Sequence, residues 1–290
     1  MREITKSIFK FLIGFVLVLI LSALLAPWLH SFLPFKFHRI LRRLIMIGTI
    51  GLVLWLMRKR RQSLGQMGLE WSENCPARWG QGFSIGIILV GLMSVFQWIL
   101  GARMWQLNDA DGWHWIGFFI KALTSGLLIG LVEEFFFRGF LFLTLKELWN
   151  TKASLIVTNL IYAMVHFFPR TKLPPGVEPN VTESFRLLIA SVTPTPEKMI
   201  LAAPSVLGLF LFGLILSFTY LRTGSLYSSM GVHGGAVFAL KLNRRFIPEV
   251  SDKMNFLSGS KNLYDGVVGL IVLSLGVLLT KNWADRRIKK

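Results

Sequence analysis

Long apolar runs alternate with short polar connectors along the 290 residues of this chain. A helix needs roughly 20 apolar residues to cross a bilayer core about 30 Å thick. Runs close to that length predict eight helices, with apolar cores at 11–26, 44–57, 83–100, 115–132, 153–168, 200–221, 226–242 and 267–280. The pattern therefore predicts an all-α protein, a polytopic transmembrane bundle of about eight helices.

The first two runs allow more than one interpretation. The first follows three basic residues and resembles a signal peptide, but it is longer than a signal core and more membrane segments follow it. We interpret it as a retained anchor, with cleavage after Ala26 as the alternative. The second run, 44–57, is short and spans a bilayer only if it includes 35–40, with the intervening arginines reaching the headgroups.

The polar stretches between the runs predict connectors. Residues 62–82 form a polar interruption, and 168–200 is the longest loop. Because proline fixes φ and removes a donor, the prolines of that loop argue against a regular helix, although 185–192 could lie on the membrane surface. Basic residues flank both ends of several runs, which gives only a slight preference for cytoplasmic termini. The acidic connector 108–112 would then face outward.

The composition excludes several classes of protein. Hydrophobic residues make up 53% of the chain and charged residues 16%, whereas ordinary soluble chains carry about 25% charged residues. This excess of apolar residues excludes a soluble globular domain, a disordered chain and a coiled coil. The single cysteine, Cys75, permits neither an internal disulfide nor a thiolate metal cluster.

The net charge is +17, from 32 Lys and Arg against 15 Asp and Glu. In a soluble protein such a charge would suggest nucleic acid, but here the basic residues stand in short runs beside apolar stretches. We therefore predict contact with anionic lipid headgroups and no nucleic-acid partner. The runs are Arg42-Arg43, Arg58-Lys59-Arg60-Arg61, Arg286-Arg287 and Lys289-Lys290.

Ionisable residues inside apolar runs are costly in lipid and indicate function. At the end of the fourth run, Glu134 and Arg138 are four residues apart and can form an ion pair on one helix face. Glu133 points about 100° away on a helix, so the same arginine cannot easily serve it. We interpret Glu134 and Arg138 as supporting residues and Glu133 as the carboxylate suited to accept a proton from water.

Two histidines lie in later runs. His166 follows Asn159 and Tyr162 at helical spacing, so the three predict a polar stripe facing the interior of the bundle. Interhelical hydrogen bonding explains that stripe equally well, and close packing explains the small residues around His233. A catalytic role is favoured over these explanations because three helices each contribute one ionisable group. Together, Glu133 and the two imidazoles form a usable hydrolytic set.

Three motifs resemble those of the CPBP family of intramembrane proteases, which includes the CAAX prenyl endopeptidase and bacterial abortive-infection and bacteriocin-processing relatives. The resemblance covers roughly 115–245, which predicts anchoring helices at 1–114, a protease-like core at 115–245, and a final helix with a basic tail at 246–290. The motifs are Glu133-Glu134-x-x-x-Arg138-Gly139, Tyr162-x-x-x-His166, and Thr223-Gly224-Ser225-Leu226 leading to His233.

The resemblance implies that Glu133 activates water, that His166 assists it, and that His233 stabilises the oxyanion. The family usually carries an asparagine four residues after the last histidine, where this chain has Val237. Losing an oxyanion donor lowers a rate by roughly a hundredfold or more. Asn159 is a candidate substitute by residue type alone.

The resemblance also implies the activity and its location. We expect an intramembrane endopeptidase that cleaves a membrane protein or a lipidated peptide, in a bacterial cytoplasmic membrane. Zinc is a possible cofactor, because Glu133, His166 and His233 could hold it with one position left for water. Equally, the glutamate and a histidine could polarise water directly, and no other cofactor is expected.

Two alternatives belong to other functional classes. Val237 favours a non-catalytic member that binds a partner protein or gives immunity against a membrane-active peptide. A small transporter would instead relay protons through Glu133, His166 and His233. The chain lacks paired Gly/Pro-interrupted segments in two halves, which are the usual indication of a transporter.

Overall fold

The computed structural model describes residues 2–104, 112–167, 171–193, 202–247, 255–260 and 262–288. The structure is 81% helical, and its described residues form no strand. The predicted all-α class is therefore confirmed. The acidic connector expected at 108–112 lies, apart from Gly112, outside the described residues.

Each of the eight predicted apolar runs forms a helix over most of its described residues, and residues 168, 200 and 201 of two of these runs lie outside the described part of the chain. A 3-10 turn covers Gly65–Met67, and a π-helical segment, Phe135–Phe142, lies between the α-helices Gly112–Glu134 and Leu143–Leu148. The α-helices are α1 (Arg2–Phe32), α2 (Phe37–Lys59), α3 (Cys75–Ile99), α4 (Gly112–Glu134), α5 (Leu143–Leu148), α6 (Thr151–Val165), α7 (Val181–Val192), α8 (Ala203–Thr223), α9 (Leu226–Phe246), α10 (Asn255–Ser258) and α11 (Val267–Ile288).

Three boundaries differ from the apolar runs for identifiable reasons. Helix α2 begins at Phe37, so the second run does include the arginine-bearing turns before residue 44. Helix α3 begins at Cys75, inside the predicted polar interruption, because the proline after it lies in the first turn, where a missing N–H breaks no helical bond. Helix α7 forms where the prolines argued against a helix, since Asn180 caps it by accepting a hydrogen bond from the N–H of Glu183 at 2.9 Å.

Six helical stretches are long and apolar enough to cross a membrane, which makes this an integral multi-pass membrane protein. Helix α6 is apolar but shorter, and α9 is too polar to meet the same criterion. The six stretches are Thr5–Phe32, Phe37–Lys59, Cys75–Ile99, Gly112–Leu148, Ala203–Thr223 and Val267–Ala284.

The chain divides into two compact units. Unit 1 comprises Met1–Ser63, Glu147–Trp149 and Met164–Ala202. In it α1 and α2 pack antiparallel, and α7 packs against α1 around an apolar cluster that includes Phe37 and Leu187. This division follows packing, and the functional division at 115 and 245 stays a prediction.

Unit 2 comprises Leu64–Lys146, Asn150–Ala163 and Ala203–Lys290, and α9 is its central helix. Helix α9 packs against α3, α4 and α8, which explains why it needs fewer apolar side chains than a lipid-facing helix. The helices α3 and α9 run parallel with their backbones in contact at Gly82, Gly86, Gly231 and Gly235. A side chain at any of these glycines would collide with the backbone of the neighbouring helix.

Candidate active site

Glu133 and Glu134 are the last residues of α4, directly before the π-helical segment Phe135–Phe142. A π-helix widens the turn by one residue and occurs often at functional sites. The predicted ion pair is present, with Arg138 Nη1 at 2.9 Å from Glu134 Oε1 and both side chains fully buried. The residue pattern predicted an ordinary helix here, and nothing in that pattern indicated the π-helical turn.

Glu134 also contacts His233 of α9, a contact that the sequence did not indicate. Its Oε1 lies 3.0 Å from Nδ1 of His233, a side chain that is only 4% exposed. A carboxylate held by a guanidinium is an acceptor, so the Nδ1–H of His233 donates to it. Glu134 therefore fixes the orientation and tautomer of the imidazole as well as pairing with Arg138.

Glu133 approaches the other side of the same imidazole. Its Oε2 lies 3.7 Å from Nε2 of His233, beyond direct hydrogen-bonding distance. Its side chain is 27% exposed, whereas that of Glu134 is fully buried. His233 thus lies between the fully buried Glu134 and the partly exposed Glu133, although the Glu133 Oε2 atom that faces the imidazole is itself buried.

Arg138 links this cluster to α6 and α8. Its Nη2 donates to Asn159 Oδ1 at 3.1 Å and to the carbonyl oxygen of Gly213 at 2.9 Å. The amide nitrogen of Asn159 in turn donates to Leu155 O at 2.8 Å and to Ser217 Oγ at 3.1 Å. Both amide hydrogens of Asn159 are therefore engaged, which argues against Asn159 as a substitute oxyanion donor. Gly213 and Ser217 carried no signal in the sequence.

Aromatic rings enclose the charged cluster. The guanidinium of Arg138 lies 4.7 Å from the ring centre of Tyr162, within cation–π range. The rings of Tyr162 and Phe212 meet the imidazole of His233 edge-on, with centroids 6.1 and 5.6 Å away. Tyr162 was predicted as a supporting residue, whereas Phe212 was missed because one phenylalanine among 24 carries no signal.

His166 and Val237 complete the predicted set. Asn159 and Tyr162 lie within α6, whereas His166 lies in the turn after Val165, its last residue, and is half-buried. His166 belongs to unit 1, and the cluster described above belongs to unit 2. Val237 lies one turn after His233 on α9 and is also half-buried.

The zinc option requires three ligand side chains in one place. Within the described part of the chain, no group of three or more His, Cys, Asp and Glu residues is arranged to hold a metal ion. The described side chains therefore give no support to a zinc site.

Comparison with known proteins identifies the region that holds this cluster. Residues 115–239 match a family model described as type II CAAX prenyl endopeptidase Rce1-like. The matched region includes Glu133, His166 and His233. Comparison with curated proteins gives no match, and neither does comparison with solved structures. Residues 115–239 match the Rce1-like family, which lies within the CPBP group that the three motifs resemble, and at the level of the family this match supports an intramembrane protease of the CAAX type.

Proposed function

We propose that the protein is an endopeptidase that uses Glu133 and His233 to hydrolyse a peptide bond of a membrane protein or a lipidated peptide. The observation that carries this proposal is the placement of His233 between Glu134 at Nδ1 and Glu133 at Nε2. We further propose a bacterial cytoplasmic membrane as the location, from the resemblance to bacterial relatives.

In this mechanism Glu133 is the general base. It takes a proton from a water molecule, and the resulting hydroxide attacks the carbonyl carbon of the scissile bond. The same carboxyl group then gives its proton to the leaving amine, so that one carboxylic acid and one amine form from one amide and one water. The partial exposure of Glu133, against the complete burial of Glu134, supports assigning the base to Glu133.

His233 stabilises the negative charge that develops on the carbonyl oxygen. With Nδ1–H donated to Glu134, a second proton on Nε2 gives an imidazolium whose Nε2–H points to the Glu133 side. In that form the charges of Glu133, Glu134, Arg138 and His233 sum to zero, which matters because an uncompensated buried charge is expensive. The imidazolium can then donate to the oxyanion.

His166 enters the proposal through the family resemblance, which assigns it to assist Glu133. The aliphatic side chain of Val237 cannot donate a hydrogen bond, and the amide of Asn159 is already engaged. We therefore propose that His233 carries oxyanion stabilisation with less help than in relatives that have an asparagine at this position. A slow enzyme is the expected consequence.

The proposal is tested by comparing peptide termini. Purified wild-type protein and its Glu133→Gln variant are incubated in liposomes with solubilised membrane proteins from the source cell, and new termini are read by mass spectrometry. Glu147→Gln is the matched control, because Glu147 follows in the same long helical stretch and pairs with Arg60 at the surface. Termini that form with wild type and Glu147→Gln but not with Glu133→Gln support the proposal, and identical patterns for all three proteins contradict it.

A non-catalytic role in partner binding or peptide immunity is the second candidate, and Val237 is the observation that favours it. The two candidates differ in their response to Val237→Asn. An active site that lacks one donor gains cleavage when the amide is restored, whereas a binding protein cleaves nothing before or after the change. Capture of a membrane partner that survives Glu133→Gln would also support the binding role.

A further inference from the structure

A polar hollow lies about two helical turns from His233 of the charged cluster. It lies at the end of unit 2 where α3 and α9 begin and α8 ends. Its volume is about 350 Å³, at the lower end of the range for small-molecule sites. It lies eight residues, or about 12 Å, along α9 from His233. Its lining residues are Gly65, Gly68, Glu70, Trp71, Ser72, Arg78, Gly224 and Ser225.

The floor of the hollow is the N-terminus of α9. Ser225 occupies the N-cap position, but its side chain makes no capping hydrogen bond. The residue is 2% exposed, and its Oγ has no hydrogen-bond partner among the described residues. A buried hydroxyl without a partner is costly, so a ligand that hydrogen-bonds to it would be favoured. The helix dipole at the same place favours a negatively charged group.

The rim of the hollow carries one cation and one anion. Arg78 and Glu70 are both exposed and both line it. Within the described part of the chain, no hydrogen bond or ion pair engages the side-chain charge of either residue. A ligand with a negative and a positive group close together would satisfy both charges, and a simple anion would meet repulsion from Glu70.

The surroundings of the hollow are those of a membrane–water interface. Three helices that are long or buried enough to lie within the membrane begin or end there. Trp71 lines the hollow and is 70% exposed, and its ring meets that of Tyr227 edge-on. Exposed tryptophan and tyrosine are typical of the headgroup level of a bilayer.

We propose that this hollow binds the headgroup of a phospholipid that carries a primary ammonium beside its phosphate, as phosphatidylethanolamine does. The phosphate lies at the N-terminus of α9, where it accepts hydrogen bonds from Ser225 Oγ and from the guanidinium of Arg78. The ammonium donates to the carboxylate of Glu70. The acyl chains extend along the membrane-facing surface of the helices.

The experiment measures lipid retention on the full-length protein by native mass spectrometry from detergent. Phosphatidylethanolamine, phosphatidylcholine and phosphatidylglycerol are added separately at equal concentration. Wild type is expected to retain the first about tenfold better than the other two, since one charge-assisted hydrogen bond supplies at least that factor. Phosphatidylcholine has no N–H to donate to Glu70, and phosphatidylglycerol has no cation.

Substitutions in the hollow test which residues bind the phosphate and which residue binds the ammonium. Arg78→Gln and Ser225→Ala should each weaken retention of phosphatidylethanolamine, whereas Arg78→Lys keeps the charge and should retain most of it. Glu70→Gln should remove the preference over phosphatidylglycerol. Lys121→Gln, an exposed cation at the other end of unit 2, is the matched control and should change nothing.

Three results would overturn the proposal. The first is equal retention of the three lipids by wild type. The second is a preference that survives both Arg78→Gln and Glu70→Gln. The third is binding of inorganic phosphate, lost in Arg78→Gln, with no selective lipid retention, which would make the hollow a site for a soluble anion. Size-exclusion profiles of each variant establish that the protein is folded in every comparison.

Discussion

Glu134 Oε1 lies 3.0 Å from Nδ1 of His233, although the two residues are 99 positions apart in the chain. The same oxygen lies 2.9 Å from Nη1 of Arg138. One buried carboxylate thus connects the structural ion pair of α4 to the imidazole of α9. The geometry of His233 therefore depends on a residue that the mechanism does not place in contact with substrate, and Glu134 is a positioning residue.

Arg138→Ala should destabilise the protein strongly. The change leaves the Glu134 carboxylate buried without its cation. It also removes the guanidinium that donates hydrogen bonds to Asn159 Oδ1 and to the carbonyl oxygen of Gly213. Removing one partner of a buried pair costs about 3–5 kcal/mol. The measurement is the unfolding transition in detergent.

Arg186→Ala is the matched control, because the Arg186 side chain is 67% exposed and its ion pair with Glu183 is longer, at 3.4 Å. Exposed pairs contribute about 0–1 kcal/mol. Equal losses for the two variants would contradict the account of Arg138 as the centre of a buried network.

Gly213→Ala should lower both stability and cleavage. The added Cβ would lie 2.6 Å from Asn159 Oδ1, so the amide would have to move away from Arg138. Overpacking of this kind costs about 1–3 kcal/mol. Thermal unfolding and cleavage of one identified substrate measure the two effects.

Gly117→Ala is the control for this substitution, since nothing lies within 4 Å of a Cβ at that position of α4. There alanine should be neutral or stabilising by up to about 1 kcal/mol, because it is the better helix former. If Gly213→Ala behaves in the same way, the close approach of α8 to Asn159 does not constrain the network.

Val237→Asn should raise the cleavage rate. The new amide would stand one turn after His233 and supply the donor that the valine lacks. An oxyanion donor contributes roughly a hundredfold or more in rate. Turnover of an identified substrate, with Val237→Leu as an apolar control, measures the gain.

An unchanged rate for Val237→Asn in an active protein would mean that another group already stabilises the oxyanion. Asn159 would not be that group as long as its amide hydrogens remain bonded to Leu155 and Ser217. Such a result would mean that the missing donor at Val237 does not limit the cleavage rate.

The fold was largely predictable because membrane helices must be long and apolar, and the described residues of each of the eight runs are mainly helical. The exceptions have local causes. Asn180 caps a helix inside a proline-rich loop, and α9 is polar because other helices surround it. The apolar run 226–242 still predicted α9, although this helix is less apolar than the six membrane-length stretches.

The candidate site was predictable only where its contacts are local. The spacing of Glu134 and Arg138 indicated their ion pair, since residues four apart share a helix face. The contact of Glu134 with His233 joins distant parts of the chain, and the carbonyl oxygen of Gly213 acts through the backbone. Backbone acceptors have no residue type, so sequence patterns cannot reveal them.

A double-mutant cycle measures whether Glu133 and His233 act together on the scissile bond. Cleavage of one identified substrate is measured for wild type, Glu133→Gln, His233→Asn and the double variant. Each single variant should lose about 100-fold or more in rate, and the double variant should lose little beyond the worse single variant, because residues that act as a unit are not additive. Retention of most activity by either single variant, or losses that multiply in the double variant, would show that Glu133 and His233 do not act as a unit on the scissile bond.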